Sequence, residues 1–306
     1  VAVKHFRSAK PLEPGAHVAL IAPAGPLQKP EDLPRAQENT RLLGWEPIVG
    51  SHASDRVGYL AGSDRDRLND INRALRDPKI DAIWCLRGGY GVMRILAGID
   101  YDALSRTPKA IIGYSDVTAL HAAVQRKCRL VTYHAPTARE AMTDLSRDSL
   151  RRAVVEQTDS CGVAPSAREI NAGAAEGRLV GGNLAVLAAL CGTPFMADLS
   201  DGILILEDIN EPVYRIDRML QQLKLAGAFN GCRAIVFGEC VKCPDDAGGG
   251  ARPFDEVLGE IAHSLGVPCL AGIPVGHIAE QWTIPLGAMA TIDTAKRSIT
   301  VNFYTS

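Results

Sequence analysis

The stretch AIIGYSDVTALHAAV, residues 110–124, changes character halfway along. It begins as a continuous apolar run of strand length and ends with the spacing of an amphipathic helix. A strand passing through a tight turn into a helix is one βα unit. A strand that is apolar on both faces belongs in a parallel sheet covered by helices. The same texture recurs upstream. HVALIAP reads as a buried strand, and the helical stretch after it ends at RLLG, where Gly44 suits a C-cap. Ser63 and Asp66 have capping-box spacing ahead of a helix that places Leu68, Ile71 and Leu75 on one face. IDAIWCL, residues 80–86, is a further buried strand.

These repeated units predict an α/β fold whose N-terminal part is a mainly parallel βα sheet domain, residues 1–143. Residues 144–178 are polar and Ala/Gly-rich, and they read as a linker. Residues 179–306 read as a C-terminal mixed α/β domain. LVGGNLAVLAAL, the strand GILILED, the helix YRIDRMLQQLKLAG and the strand CRAIVFGEC lie in it. The closing TIPLGAMATIDTAKRSITVNFY alternates and carries a turn near Thr294, which predicts an antiparallel hairpin.

Composition narrows the function. The 306 residues are 46% hydrophobic and 22% charged, and 33 Lys plus Arg against 35 Asp plus Glu leave a formal charge of −2. That balance offers no electrostatic footprint for a nucleic acid, and no binding motif for one is visible. The longest near-apolar run, LAVLAALC, is too short to span a bilayer, so no membrane partner is expected. The opening VAVKHFRSAKPLEPGAH lacks the apolar region of a secretory signal, and a cytoplasmic protein is expected. Most of the eight cysteines sit in apolar runs. Cys240 and Cys243 form an isolated C-x-x-C with no second pair and no neighbouring His, which favours a structural role over zinc or redox chemistry.

Four features could carry chemistry. Ser115 stands at the strand-to-helix turn, at the sheet edge where α/β proteins place their sites, and it is either a nucleophile or a helix N-cap. The amides beyond it, Asp116 first, point toward developing negative charge. CLRGGYGVMRIL, residues 85–96, puts two glycines directly after a strand, as a phosphate cradle, an oxyanion loop or a plain turn. It lacks both the dinucleotide fingerprint and the P-loop Lys. Glu207, with Asp208 as its rival, ends GILILED where a carboxylate can orient an imidazole. His277 lies in the loop-like AGIPVGHIAEQWTIPLG, and His134 in VTYHAPTA competes with it.

Taken together, IAPAGP, the long run from YLAGSDRDRL to GVMRIL, IIGYSDVTAL, GGNLAVLAALCGTP, LILEDINEPVYRIDRMLQQL and GIPVGH resemble the LD-carboxypeptidase (muramoyl-tetrapeptide carboxypeptidase) serine-peptidase family, which also includes microcin-immunity peptidases. The resemblance is weakest over the linker and over residues 243–253. It implies a Ser–His–Glu triad of Ser115, His277 and Glu207, with backbone amides of Gly89 and Asp116 as the oxyanion hole. It implies hydrolysis of the bond that joins an L-configured centre to the terminal D-alanine of a murein tetrapeptide, in cell-wall recycling. No metal or organic cofactor is needed for that chemistry, and a homodimer is the expected assembly. A terminal carboxylate on the substrate asks for a cation, for which Arg87, with Gly88 beside it, is the candidate, the alternative being a surface or structural arginine.

Ser115 and the glycine loop precede the linker, whereas Glu207 and His277 follow it. The site is therefore expected at the interface of the two domains. Two rival functions remain. One is a microcin-immunity-type peptidase cleaving an aminoacyl-nucleotide amide, for which Trp282 would be the aromatic platform. The other is a non-catalytic protein that binds a ligand in the cleft.

Overall fold

Two helix-covered sheets build the computed structural model, which describes residues 6–245 and 252–303. Strands β1 (His17–Ile21), β2 (Glu46–Val49), β3 (Ala82–Cys85), β4 (Ala110–Gly113) and β5 (Thr132–His134) run parallel in the spatial order β2-β1-β3-β4-β5. β3 and β4 are buried along their whole length, as their unbroken apolar character requires. β2 carries Pro47 and alternates between exposed and half-buried positions, which an edge strand tolerates.

Local signals act as their chemistry predicts. The Ser63 hydroxyl accepts from the Asp66 amide and caps helix Asp64–Arg76, on which Ile71 and Leu75 are buried. Gly44 closes helix Asp32–Leu42 at φ +82°, in the left-handed region that glycine enters without strain.

The segment 144–178, read as a linker, is structured. Thr143 caps helix Asp144–Arg151, which a π turn extends over Arg152–Glu156. Strands β6 (Gly162–Val163) and β7 (Arg168–Asn171) follow, and β8 (Ala174–Asn183) begins. Its polar texture hides this order because serines fill inward positions. The Ser146 and Ser149 hydroxyls accept from the amides of Gln281 and Thr283 at 2.8 and 2.7 Å, in a buried seam with the C-terminal half.

The second sheet adds β9 (Gly202–Ile209), β10 (Ala234–Val241) and β11 (Cys269–Gly276), and β8-β9-β10-β11 are neighbouring parallel strands. The chain then supplies β12 (Ile284–Leu286), β13 (Met289–Asp293) and β14 (Ser298–Asn302). β13 and β14 form the expected hairpin and attach antiparallel to β8. β12 leaves that sheet and pairs antiparallel with β5, so the far half of the chain completes the edge of the first sheet.

One hydrophobic core runs through both halves, joining Ile83, Ile111 and Leu120 to Leu184, Leu206 and Phe237. It holds the carboxyl ends of β4, β8 and β9 against one another. There the Asn183 amide donates to the buried Thr118 hydroxyl at 2.9 Å. A Cβ on Gly182 would stand 2.5 Å from that hydroxyl, so only glycine permits the approach. Among the described residues, no helix is long and apolar enough to cross a membrane.

Candidate active site

β4 ends at Gly113, and the chain turns sharply through Tyr114 into a short 3₁₀ turn, Ser115–Val117, which continues as helix Thr118–Cys128. Ser115 sits at φ +63°, a left-handed conformation that costs a side-chain-bearing residue about 1–2 kcal/mol. Its hydroxyl does not cap the helix, and Tyr114 in the N-cap position makes no side-chain cap bond either. The serine faces the other half of the molecule instead. Strain of this kind is kept only where the surroundings enforce it.

The partner across the gap is His277. Its Nε2 lies 3.1 Å from Ser115 Oγ, and its Nδ1 lies 2.8 Å from Glu207 Oε2. A carboxylate only accepts, so Nδ1 carries the proton. Nε2 then presents a lone pair to the Ser115 hydroxyl. Glu207 is fully buried while the His277 side chain is 16% exposed, which orders the three groups from core to surface. Gly276, at φ +125°, allows the ion pair to close, because a Cβ there would lie 2.8 Å from the Glu239 carbonyl and 3.3 Å from Glu207 Oε2.

Burial works against a charged His277, but the hydrogen bond and charge of Glu207, aided by Glu140 and Asp208, outweigh it and raise its pKa above the ordinary value of 6.5. The Tyr114 ring packs on the imidazole with centroids 4.8 Å apart and fixes its second face.

Neither rival takes part in this line. Asp208 accepts from the Asn183 side chain and from the amides of Ala185 and Ile209, anchoring the start of helix Leu184–Leu190. Burial pushes its pKa up to about 6. His134 is fully buried, neither ring nitrogen has a hydrogen-bond partner among the described residues, and burial depresses its pKa. It packs edge-on against Tyr114 at 5.7 Å, one ring behind His277.

The glycine loop after β3 passes directly over Ser115. A Cβ on Gly88 would lie 2.7 Å from Ser115 Cβ, 2.9 Å from its Oγ and 3.4 Å from the Asp116 amide. The Gly88 carbonyl is held by the Gly25 amide at 3.1 Å, and the Gly89 amide donates to nothing among the described residues. Gly88→Ala is therefore expected to lower kcat/KM by at least about 100-fold, through displacement of the serine or the loop. Steady-state kinetics on a folded variant will check this.

Two side chains to which the sequence reading gave no such task hold this loop. The Asp116 carboxylate, pushed up to about 6 by burial, accepts from the Val92 amide at 2.9 Å. Buried Arg67 donates to the Gly91 carbonyl at 2.8 Å and also to the Pro23 carbonyl, so one guanidinium ties the loops after β1 and β3. A buried Arg inside a helix carries no sequence signal of that task.

Cys240 pairs in register with Asp208 on β9, and the Cys243 thiol donates to the Val241 carbonyl at 3.5 Å. Trp282 lies in the core at 5% exposure.

With this geometry established, the comparisons place the chain. Residues 18–135 match the LD-carboxypeptidase N-terminal domain and residues 176–292 match the LD-carboxypeptidase C-terminal domain. A "Probable murein peptide carboxypeptidase" of Bacillus subtilis is 36% identical, over 95% of this chain and 93% of that one. The murein tetrapeptide carboxypeptidase of Pseudomonas aeruginosa is 34% identical, over 90% and 92%. A solved structure of the microcin C7 self-immunity protein MccF, known from Escherichia coli, is similar with a TM-score of 0.88 and 26% identity, covering 97% of this chain and 99% of that one. The chain belongs to the LD-carboxypeptidase family, a family of serine peptidases.

Proposed function

We propose that the protein is a serine carboxypeptidase that releases the terminal D-alanine from murein tetrapeptides. The observation that carries this reading is the line Ser115 Oγ, His277 Nε2, His277 Nδ1 and Glu207 Oε2, with contacts of 3.1 and 2.8 Å. The names of the relatives supply the substrate.

In this mechanism His277 takes the hydroxyl proton as Ser115 attacks the scissile carbonyl, and buried Glu207 stabilises the imidazolium. The amides of Gly89 and Asp116 receive the oxyanion. Each such donor is worth about 3 kcal/mol of barrier in related chemistry. His277 then passes its proton to the leaving amine of D-alanine. Water, deprotonated by the same imidazole, resolves the acyl-enzyme. Action inside the cell on recovered wall peptides, as a homodimer, completes the reading.

The base must be neutral to act, and its pKa is raised. kcat/KM is therefore expected to fall as pH drops through a value above 6.5 and to level off at higher pH. A pH profile measured with tetrapeptide will check this, and a profile flat through the neutral range would remove His277 as the base.

Incubation with a murein tetrapeptide and, separately, with an aminoacyl sulfamoyl-adenosine, followed by mass analysis, tests the assignment. Loss of one alanine from the tetrapeptide is expected. Cleavage of the nucleotide amide alone would make the protein a microcin-immunity-type peptidase. For that role a tryptophan platform is missing, because Trp45, Trp84 and Trp282 are all buried. No cleavage of either would leave a binding protein.

A further inference from the structure

The loops leaving β1 and β3 diverge where the order of the first sheet reverses, since β2 lies on one side of β1 and β3 on the other. In open parallel sheets the crevice at that point, outside the carboxyl ends of the strands, is where ligands bind. Here it is a cleft of about 520 Å³ whose walls include Pro26 from the first loop, Arg87, Gly89 and Tyr90 from the second, and Arg56 and Tyr59 from the connection that follows β2.

Its charges are unbalanced. Arg87 Nη1 donates to the Pro26 carbonyl at 2.7 Å and Arg56 Nη2 to the Leu27 carbonyl at 2.6 Å. Neither guanidinium meets a carboxylate among the described residues, whereas nearby Arg67 and Arg94 share Asp64, and Arg139 pairs with Asp32. Half-buried Arg87 is opposed by burial and by the charges of Arg139 and Arg56, with Asp32 alone favouring it. A half-buried cation with no carboxylate in contact is costly unless a ligand supplies the anion, and exposed Arg56 adds a second positive charge at the mouth of the cleft. The Tyr59 and Tyr90 rings, tilted by 59° with centroids 5.7 Å apart, stay 68% and 48% exposed, a pair of aromatic side chains at the rim.

The cleft starts one residue from the serine. Gly88 joins Arg87 to Gly89, and its Cβ direction ends 2.9 Å from Ser115 Oγ. A carboxylate one residue beyond a scissile carbonyl lies about one Cα step, ~3.8 Å, further along the chain. A charge-assisted hydrogen bond bridges a further ~2.8 Å.

We propose that this cleft is the subsite for the substrate's terminal α-carboxylate, clamped by Arg56 together with Arg87 and closed on its outer side by Tyr59 and Tyr90. Such a clamp makes the enzyme an exopeptidase, because the chain cannot continue past the residue it holds. The inference rests on the peptidase reading above.

The test compares a murein tetrapeptide with its C-terminal primary amide, by calorimetric binding to Ser115→Ala protein and by kcat/KM on wild type. The free acid is expected to bind at least about 30-fold more tightly than the amide. Arg56→Gln is expected to cut that ratio about tenfold, and Arg56→Gln with Arg87→Gln to bring it near one, with the affinity for the amide unchanged. Arg56 is on the surface, so its single variant keeps the test valid if the double variant fails to fold.

A ratio that survives the substitutions overturns the subsite, and so does an equal loss for acid and amide. Tighter binding of an aminoacyl sulfamoyl-adenosine than of the peptide acid, lost in Tyr59→Ala, would also overturn it and assign the cleft to a nucleobase. Turnover by wild type with no acid preference sinks the subsite alone. A preference that depends on the arginines, without any turnover, sinks the peptidase reading alone.

Discussion

Ser115→Ala is expected to lower kcat on the murein tetrapeptide on the order of 10⁵- to 10⁶-fold, the size of effect that loss of a triad nucleophile has in serine peptidases. The same variant should be as stable as wild type to within about 0.5 kcal/mol, the range of substitutions that break no specific interaction. Had Ser115 been the helix cap, its removal would cost about 0.5–2 kcal/mol. The hydroxyl makes no cap bond, so that loss does not arise. Both residues bear the same strain at φ +63°. Ser115→Gly, equally inactive, should be no less stable than the alanine variant, because glycine enters that conformation freely. Denaturant melts beside product assays will separate the two effects. A melt that drops by several kcal/mol would return the serine to a structural role.

The second large effect lies across the gap. His277→Ala is expected to cost at least about 10³-fold in kcat. Glu207→Gln keeps the shape of a buried side chain but removes the charge, and a loss of about 10²- to 10⁴-fold follows from a poorly stabilised imidazolium. Its remaining activity should shift in a definite direction. Burial lowers the pKa of His277, and Glu207 is the strongest group that raises it. Without that charge the acid limb of kcat/KM should move to lower pH. His134, buried without a hydrogen-bond partner among the described residues, should act through packing alone. His134→Phe should lose far less activity than His277→Ala, and a reversed ranking in steady-state assays would reassign the base.

Much of this arrangement was legible in the residues. Continuous apolar runs marked β1, β3, β4, β9 and β10, because strands covered on both faces cannot alternate. The strand before His277 was not legible, and AGIPVG read as loop. It is the end of β11, fully buried but for Pro274. Glycine and proline obscure it because the pairing with β10 slips between Phe237 and Glu239. Gly238 lies so close to Val275 that a Cβ would stand 2.2 Å from its carbonyl oxygen. Bulges of this kind re-aim a strand end, and here the strand end carries His277.

The secondary structure within the polar stretch 144–178 was hidden for a related reason. Its serines form a buried hydrogen-bonded seam, a pattern without hydrophobic periodicity. At the site, position at strand ends named Ser115 and Glu207, a loop-like context named His277, and the family resemblance joined them. Residues alone could not decide between Glu207 and Asp208. That choice depends on alternation along β9, which turns one carboxylate toward β11 and the other toward helix Leu184–Leu190.

The central claim is that His277, oriented by Glu207, activates Ser115. Labelling with a serine-directed fluorophosphonate tests it without reference to any substrate. The account predicts one adduct per chain, mapped by peptide mass analysis to Ser115, formed rapidly in wild type and at least about 100-fold more slowly in His277→Ala and in Glu207→Gln. An adduct on another residue, or a Ser115 adduct formed at the same rate in all three proteins, would contradict it.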